Sequence, residues 1–437
     1  MSTKLFKKYN LQDSLIVFSS YAKSSGQMRD MNALAWYTKH LLLSLPKNKR
    51  IIFLSEKTTS ISYSPFEDQD RILVIPCWKK NYAQSIFNIL RTISIFNSPK
   101  RFLFQFEFNM FGNIMGPILT LGIVLYLFLL RKKIYFQIHQ VVLDVATIKD
   151  QIHVKNPFIL HFFNFSLRIF YRLIFLFSHK VIVTEEALSK RLNRIVNTNK
   201  LIILPHHVLD EPIVSQPIVQ KKANTLLFFG YLSWYKGIDW LVKTFKTLQQ
   251  RNSQLKLIVA GGESPTQKHK KFYRHYYTTL KHRMHTTPGI THTGFISDKQ
   301  VKGYMKKADM VILPYRSFIS SSGPLSWALA HHKPVIFSTH LKEYMYSPDF
   351  ADSMKQAEIR PCDLFFDLDD ASFNDFLTKI NLKKLIHFST LLAQKRSQKN
   401  VVKQLYTILY GEKTSALSYS WLQIITRIRF ALNYAQK

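Results

Sequence analysis

Short apolar runs alternate with longer amphipathic stretches along most of this chain, and this alternation constrains the fold more than any other sequence feature. Twelve runs have the length and composition of buried strands, and helical patterns lie between them. The runs cover 14–19, 50–54, 72–75, 102–106, 134–138, 181–184 and 201–204, and then 225–229, 255–260, 290–293, 310–313 and 334–336. This order predicts an α/β protein built from βα units around parallel sheets.

The length of 437 residues predicts two domains, because a single core of that size is uncommon. Residues 210–224 are rich in proline and polar groups, lack periodicity and read as a linker. We therefore expect two doubly wound, Rossmann-like domains over 1–209 and 225–412, facing a central cleft. Residues 413–437 predict an amphipathic closing helix that packs back on the N-terminal domain.

The chain is strongly and evenly basic, with a formal net charge of +34 that divides into +17 in 1–200 and +17 in 201–437. An even excess favours a polyanionic partner: nucleic acid, an anionic membrane or phosphorylated small molecules. Two cysteines exclude a disulfide framework and a cysteine zinc cluster, and they indicate a reducing compartment. The first twenty residues lack the pattern of a secretory signal.

Two hydrophobic stretches raise the question of a membrane. Residues 113–130 are an apolar run followed by three basic residues, and we expect a buried or surface-bound helix there because the next residues read as a strand. Residues 158–178 are crowded with phenylalanine but carry Arg168 and Arg172 on one helical face. This second stretch predicts either an interfacial helix or an unusually aromatic core helix.

Two segments of the C-terminal half have the features of an anion site. In the first, a strand ends at Gly230 and a short loop leads to Lys236, a mobile point charge suited to a diphosphate. In the second, a strand is followed by Arg316 and then by Ser321, Ser322 and Gly323 before a helix that starts near Pro324. Such a helix start offers unpaired N–H groups to an anion, although each segment alone also fits an ordinary α/β domain.

Four blocks in this order, GYLSWYKGIDWL, LKLIVAGGE, HTGFISDKQVKGYMKKADMVILPYR and SSGPLSWALAHHKPVI, resemble the C-terminal half of GT-B glycosyltransferases similar to glycosyltransferase family 4. SSYAKSSGQMRDMNALAWYTKHLL, FQIHQVV and PHHV resemble the N-terminal half more loosely. The resemblance covers nearly the whole chain. It implies a nucleotide-sugar donor, UDP- or GDP-linked, held mainly by the C-terminal domain, and a glycan or lipid-linked acceptor held by the N-terminal one.

The resemblance also implies roles for individual residues. Lys236 would meet the donor phosphates, the loop and helix start would cradle the diphosphate, and His139 would lie near the transferred sugar. Separately from the resemblance, Arg316 is expected to supply a further catalytic positive charge because it lies in the same loop. The expected donor-binding residues are Gly26, Gly230, Lys236, Gly262, Phe295, Ile296, Ser321, Ser322 and Gly323. No metal ion or other cofactor is expected.

The sequence departs from the family where many relatives carry two glutamates eight positions apart, because Ile319 and Trp327 occupy these positions. The chain instead resembles relatives with Ser-Gly before this helix, which leaves sugar recognition unassigned. The expected activity is a hexosyltransferase-type reaction, retaining and metal-independent, in cell-envelope polysaccharide or glycolipid synthesis. The expected location is cytoplasmic and peripheral on the inner face of the cell membrane.

Two other functions remain open at this point. The basic and aromatic residues of 267–283 fit a nucleic-acid-binding protein on a GT-B scaffold as well as a solvated outer helix. The missing glutamates fit a non-catalytic partner protein. The adjacent histidine pairs at 206–207 and 331–332 lack the spacing of a helical zinc site.

Overall fold

The structure is a computed structural model that describes residues 3–22, 33–58, 64–112, 115–148, 156–209, 223–265 and 267–411. The described residues divide into two compact units. One holds the described residues before 206 together with 401–411, and the other holds 206–400. Residues 210–222 of the predicted linker, Gly26 and the predicted closing helix over 413–437 lie outside the described residues.

The first unit is built on an eight-stranded sheet in the order β3-β4-β2-β1-β5-β6-β7-β8. Every neighbouring pair is parallel except β3 and β4. The strands are β1 Leu15–Phe18, β2 Ile51–Glu56, β3 Phe66–Asp68, β4 Ile72–Trp78, β5 Arg101–Phe106, β6 Lys133–Ile138, β7 Lys180–Val183 and β8 Leu201–Ile203. The helices described in this unit are α1 Thr3–Tyr9, α2 Ala33–Leu43, α3 Ser85–Ile95, α4 Gly116–Leu129, α5 Pro157–Phe177 and α6 Glu186–Asn193.

The second unit has a parallel six-stranded sheet in the order β11-β10-β9-β12-β13-β14. Its strands are β9 Thr225–Phe229, β10 Lys256–Ala260, β11 Ile290–Gly294, β12 Met310–Leu313, β13 Val335–Ser338 and β14 Phe365–Phe366. Its helices are α7 Ile238–Arg251, α8 Lys271–Thr286, α9 Asp298–Lys307, α10 Gly323–Ala330, α11 Pro348–Gln356, α12 Pro361–Leu364, α13 Asp370–Lys379 and α14 Leu382–Lys395.

These elements confirm the predicted α/β class and its two doubly wound sheets. All twelve predicted strands are present, shifted by at most a few residues at their ends. The sequence pattern missed β3 and β14, because each is too short to show periodicity. The central strands are buried on both faces, which is why they read as continuous apolar runs instead of alternating ones.

The last described helix, α15 Gln398–Tyr410, crosses from the second unit to the first. Arg101 Nε donates to the Leu409 carbonyl oxygen at 2.6 Å, and the Tyr135 hydroxyl donates to the same oxygen at 3.3 Å. The Tyr410 ring receives the cations of Lys49 and Arg101, each 4.6 Å from the ring centroid. The sequence placed 401–411 in the C-terminal domain, whereas these contacts tie the segment to the N-terminal sheet.

Candidate donor site

The loop after β9 carries Lys236 into a buried position at the carboxyl end of the second sheet. The loop is held by the Leu232 amide, which donates to the Gly262 carbonyl at 3.0 Å, and by the Tyr273 hydroxyl, which donates to the Leu232 carbonyl at 2.7 Å. A single turn, Trp234–Lys236, precedes α7. Parallel sheets place ligand sites at this edge, where the strands end.

Two glycines make this placement possible. Gly230 has φ +121°, and a Cβ there would lie 2.8 Å from Lys236 Nζ and 3.2 Å from Pro324 Cγ. Gly237 has φ +67°, and a Cβ there would lie 1.8 Å from the Pro314 carbonyl oxygen. Any side chain at either position would therefore collide with its neighbours and strain the backbone. The contacts at Gly230 bring the ammonium group next to the first turn of α10.

Lys236 is a buried cation, with 7% of its surface exposed. Burial lowers its pKa from 10.5 to about 8, because the charged form loses hydration. Tyr231, Tyr235 and Tyr315 surround the ammonium group, with ring centroids 5.8–6.0 Å away. No carboxylate forms an ion pair with it among the described residues. The sequence predicted a mobile point charge here, but the structure fixes the lysine against aromatic rings and leaves its charge uncompensated.

The start of α10 lies beside this lysine. Ser322 is the N-cap, and its side chain accepts a hydrogen bond from the Leu325 amide at 3.3 Å. Its hydroxyl also lies 3.2 Å from the Tyr315 hydroxyl, and its amide donates to the Tyr344 hydroxyl at 3.1 Å. A Cβ at Gly323 would meet no atom within 4 Å, so there is open space beside the first turn. The predicted helix start is confirmed, and it places a positive dipole end and a cation together.

Arg316 is positioned differently from Lys236. Its guanidinium forms a two-point ion pair with Asp239 at 2.7 and 2.8 Å, donates to the Trp234 carbonyl at 2.6 Å and stacks over the Trp234 ring at 4.6 Å. Its amide donates to the Tyr235 carbonyl at 2.7 Å. Its charge is therefore balanced by a carboxylate, and its contacts join the loop after β12 to the turn that carries Lys236.

Phe295 and Ile296, two of the expected donor-binding residues, directly follow β11. The Phe295 ring covers Gly262, since a Cβ at that glycine would lie 2.4 Å from Phe295 Cδ2, and it meets the Tyr231 ring edge-on at 5.5 Å. Ile296 is buried. Of the two positions counted for the family glutamates, Trp327 is also buried, packed against Phe229 and His331.

His139 belongs to the first unit, directly after β6, and is buried. Its Nε2 lies 2.6 Å from Gln105 Oε1. The Gln105 amide donates to Gln137 Oε1 at 2.9 Å, and the Gln137 amide donates to the Tyr37 hydroxyl at 3.0 Å. This chain of polar groups fixes the imidazole ring, and the motifs of the sequence did not predict it. The sequence feature that could have predicted it is the presence of Gln105 and Gln137 inside the apolar runs of β5 and β6.

Two further features bear on the predicted site. His206 Nδ1 lies 2.8 Å from the Ser326 hydroxyl of α10, and burial lowers the pKa of His206 to about 4, so this histidine is neutral beside the helix. Within the described ranges, no three His, Cys, Asp or Glu side chains group closely enough to hold a metal ion. The expected metal independence remains a prediction.

Comparisons with known proteins agree with this architecture. Residues 223–348 match the family model described as "Glycosyl transferases group 1". An uncharacterized glycosyltransferase of Methanocaldococcus jannaschii is 27% identical over 96 residues, and the match spans 22% of this chain and 22% of that relative.

Solved structures extend the likeness to both units. Sucrose-phosphate synthase from Thermosynechococcus elongatus has a TM-score of 0.62 at 13% identity, covering 91% of this chain and 99% of its own. Anabaena HepE in complex with UDP has a TM-score of 0.62 at 10% identity, covering 91% and 100%. A UDP-forming α,α-trehalose-phosphate synthase from Burkholderia vietnamiensis has a TM-score of 0.61 at 10% identity, covering 92% and 99%.

The fold is therefore that of the GT-B glycosyltransferases. The matched segment contains Lys236, Arg316 and the start of α10, and it is similar to group 1 glycosyl transferases. Together the family match and the fold support sugar transfer from a nucleotide-sugar donor.

Proposed function

We propose that this protein is a nucleotide-sugar glycosyltransferase that holds the donor diphosphate between Lys236 and the N-terminus of α10. One observation carries the proposal: a buried lysine without a described carboxylate partner lies against the first turn of a helix that has open space beside it. An uncompensated buried cation is costly, and a bound anion would compensate it.

The chemistry follows from this arrangement. Departure of a nucleoside diphosphate develops negative charge, which an ammonium group and helix N–H groups stabilise without a metal ion. The loop around Phe295 and Ile296 would contact the base, and His139, fixed through Gln105, would lie near the transferred sugar. Arg316 would act as a positioning residue that holds the Lys236 turn through Asp239.

We propose a UDP- or GDP-linked hexose donor, retaining transfer, and a glycan or lipid-linked acceptor in envelope polysaccharide or glycolipid synthesis at the inner face of the cell membrane. The UDP complex of HepE supports UDP as the first nucleotide to test.

Calorimetric titration with UDP, GDP and their sugars tests the site. We expect one nucleoside diphosphate to bind, and Lys236→Ala to weaken it roughly 10- to 100-fold, as loss of a charge-assisted contact of about 1.5–3 kcal/mol predicts. Lys243→Ala, on the exposed side of α7, is the matched control. Equal affinities of the wild type and Lys236→Ala would contradict the phosphate assignment.

A further inference from the structure

Three neighbouring helices of the first unit expose an unusual number of apolar side chains. Fifteen large hydrophobic residues are exposed in the described part of the chain, and eleven of them lie on α3, α4 and α5 or at their ends. They are Phe87, Ile95, Met115, Ile118, Leu125, Leu129, Leu130, Phe158, Ile159, Phe162 and Phe165. Soluble monomers rarely expose so many apolar groups together.

The three helices form one continuous surface. Each connects parallel strands in the same direction across the sheet, β4 to β5, β5 to β6 and β6 to β7, so the right-handed crossover rule places all three on one face. Ile86 of α3 packs on Gly122 of α4, and Phe128 of α4 packs on Phe177 of α5. We call the outward side of α3, α4 and α5 the apolar face.

Each helix has a buried stripe and an exposed apolar stripe. On α4, Ile123, Val124 and Leu127 are buried, while Ile118 and Leu125 are exposed at a spacing of two turns. The carboxyl half of α5 packs in the core, whereas its first turns expose Phe158 by 83% and Phe162 by 64%. The exposed residues are therefore surplus to the packing of the sheet.

The charges of these helices are of one sign. Their 46 residues contain three arginines, Arg91, Arg168 and Arg172, and neither aspartate nor glutamate. Arg91 lies one turn after Phe87, and Arg168 lies one turn after Phe165, so cations and aromatic rings share the exposed side. Aromatic rings with basic residues at their border are typical of helices that lie in a membrane interface.

We propose that the apolar face binds the surface of an anionic phospholipid bilayer, with the phenylalanine rings of α5 among the acyl chains and the exposed Arg91 and Arg168 at the phosphates. A second copy docked through the same face would oppose these arginines without a carboxylate to compensate them. The helix α5 is also long and apolar enough to cross a membrane by length and composition. However, the strands that precede and follow α5 in the chain, β6 and β7, are hydrogen-bonded to each other. If α5 crossed the membrane, these two strands would be separated.

Vesicle flotation of the full chain tests this proposal. The proposal rests on the proposed membrane location of the enzyme and not on its donor chemistry. We expect the protein to float with phosphatidylcholine mixed with phosphatidylglycerol and not with phosphatidylcholine alone. Phe158→Gln/Phe162→Gln should reduce binding roughly tenfold or more. Arg91→Gln/Arg168→Gln should reduce it about 25-fold, at roughly fivefold per arginine.

Leu11→Gln/Tyr346→Gln removes two exposed apolar residues elsewhere and should float like the wild type. UDP or GDP titration of every variant, without lipid, separates a folding defect and a failed donor site from a failed lipid surface. Unchanged flotation of the phenylalanine variant, or equal loss in the control, would overturn the proposal. The proposal would also be overturned if the protein bound neither kind of vesicle and formed a dimer that Phe158→Gln/Phe162→Gln dissociates. The apolar face would then be covered by a second copy of the chain.

Discussion

Replacing Lys236 by methionine should make the protein more stable while weakening donor binding. The lysine is buried against three tyrosine rings and has no described carboxylate partner. Methionine keeps the volume and flexibility of the side chain but needs no hydration. The folded state would therefore lose an uncompensated charge and keep its packing.

The pKa gives the magnitude. A fall from 10.5 to about 8 corresponds to about 3 kcal/mol at 1.36 kcal/mol per pH unit. Ring contacts near 6 Å offset some of this cost, which leaves roughly 2 kcal/mol. Because the folded pKa is the lower one, the cost is complete below pH 8, shrinks as the folded state releases its proton, and vanishes above the unfolded value of 10.5.

Urea unfolding of the wild type, Lys236→Met and the exposed control Lys243→Met at pH 7 and pH 10 measures this difference. We expect Lys236→Met to gain roughly 2 kcal/mol in the free energy of unfolding at pH 7 and much less at pH 10, with no such pH dependence in the control. At equal concentrations, UDP or GDP should stabilise the wild type more than Lys236→Met. If Lys236→Met were less stable than the wild type at pH 7, the buried charge of Lys236 would not destabilise the folded protein, and this reasoning would be refuted.

Three further predictions concern pairs of side chains. Arg316→Ala and Asp239→Asn should each weaken donor binding several-fold. Because one ion pair holds the loop, the two effects should not add in a double-mutant cycle measured by calorimetry, whereas additive effects would place the arginine on the donor itself. Gln105→Leu should lower kcat about tenfold with little change in the donor KM, as loss of imidazole positioning predicts, whereas a change in KM alone would contradict this role. Arg396, which is buried, donates to the two carboxylate oxygens of Asp349 at 2.6 and 3.1 Å. Asp349→Asn should cost about 3 kcal/mol in denaturant unfolding because it removes the charge that pairs with this arginine, and a cost under 1 kcal/mol would show that the pair is dispensable.

Much of the fold followed from periodicity, but the pairing of distant side chains did not. Apolar runs and glycine loops are local signals, and they located β9, the Lys236 loop and the start of α10. The partner of Arg316 is Asp239, 77 positions away in sequence, and only the packing of the strands brings the two together. A sequence pattern could therefore propose Arg316 as a cation but could not show that its charge is already balanced.

The burial of Lys236 escaped prediction for the same reason. A lysine near a helix start reads as solvated, and the three tyrosines that enclose it come from the loops after β9 and β12. The apolar face was visible only in part. Both hydrophobic stretches were recognised, but the topology of the sheet was needed to place α3, α4 and α5 side by side.

The return of α15 to the first sheet means that the second unit is an insertion in the chain of the first. Leu409 and Tyr410 hold the end of α15 against Arg101 and Tyr135 of the first sheet. A fragment ending near 209 would therefore expose a buried arginine and lose that helix. The described part of the second unit is one continuous stretch of chain, 206–400, whereas the first unit is made of chain pieces from before and after that stretch.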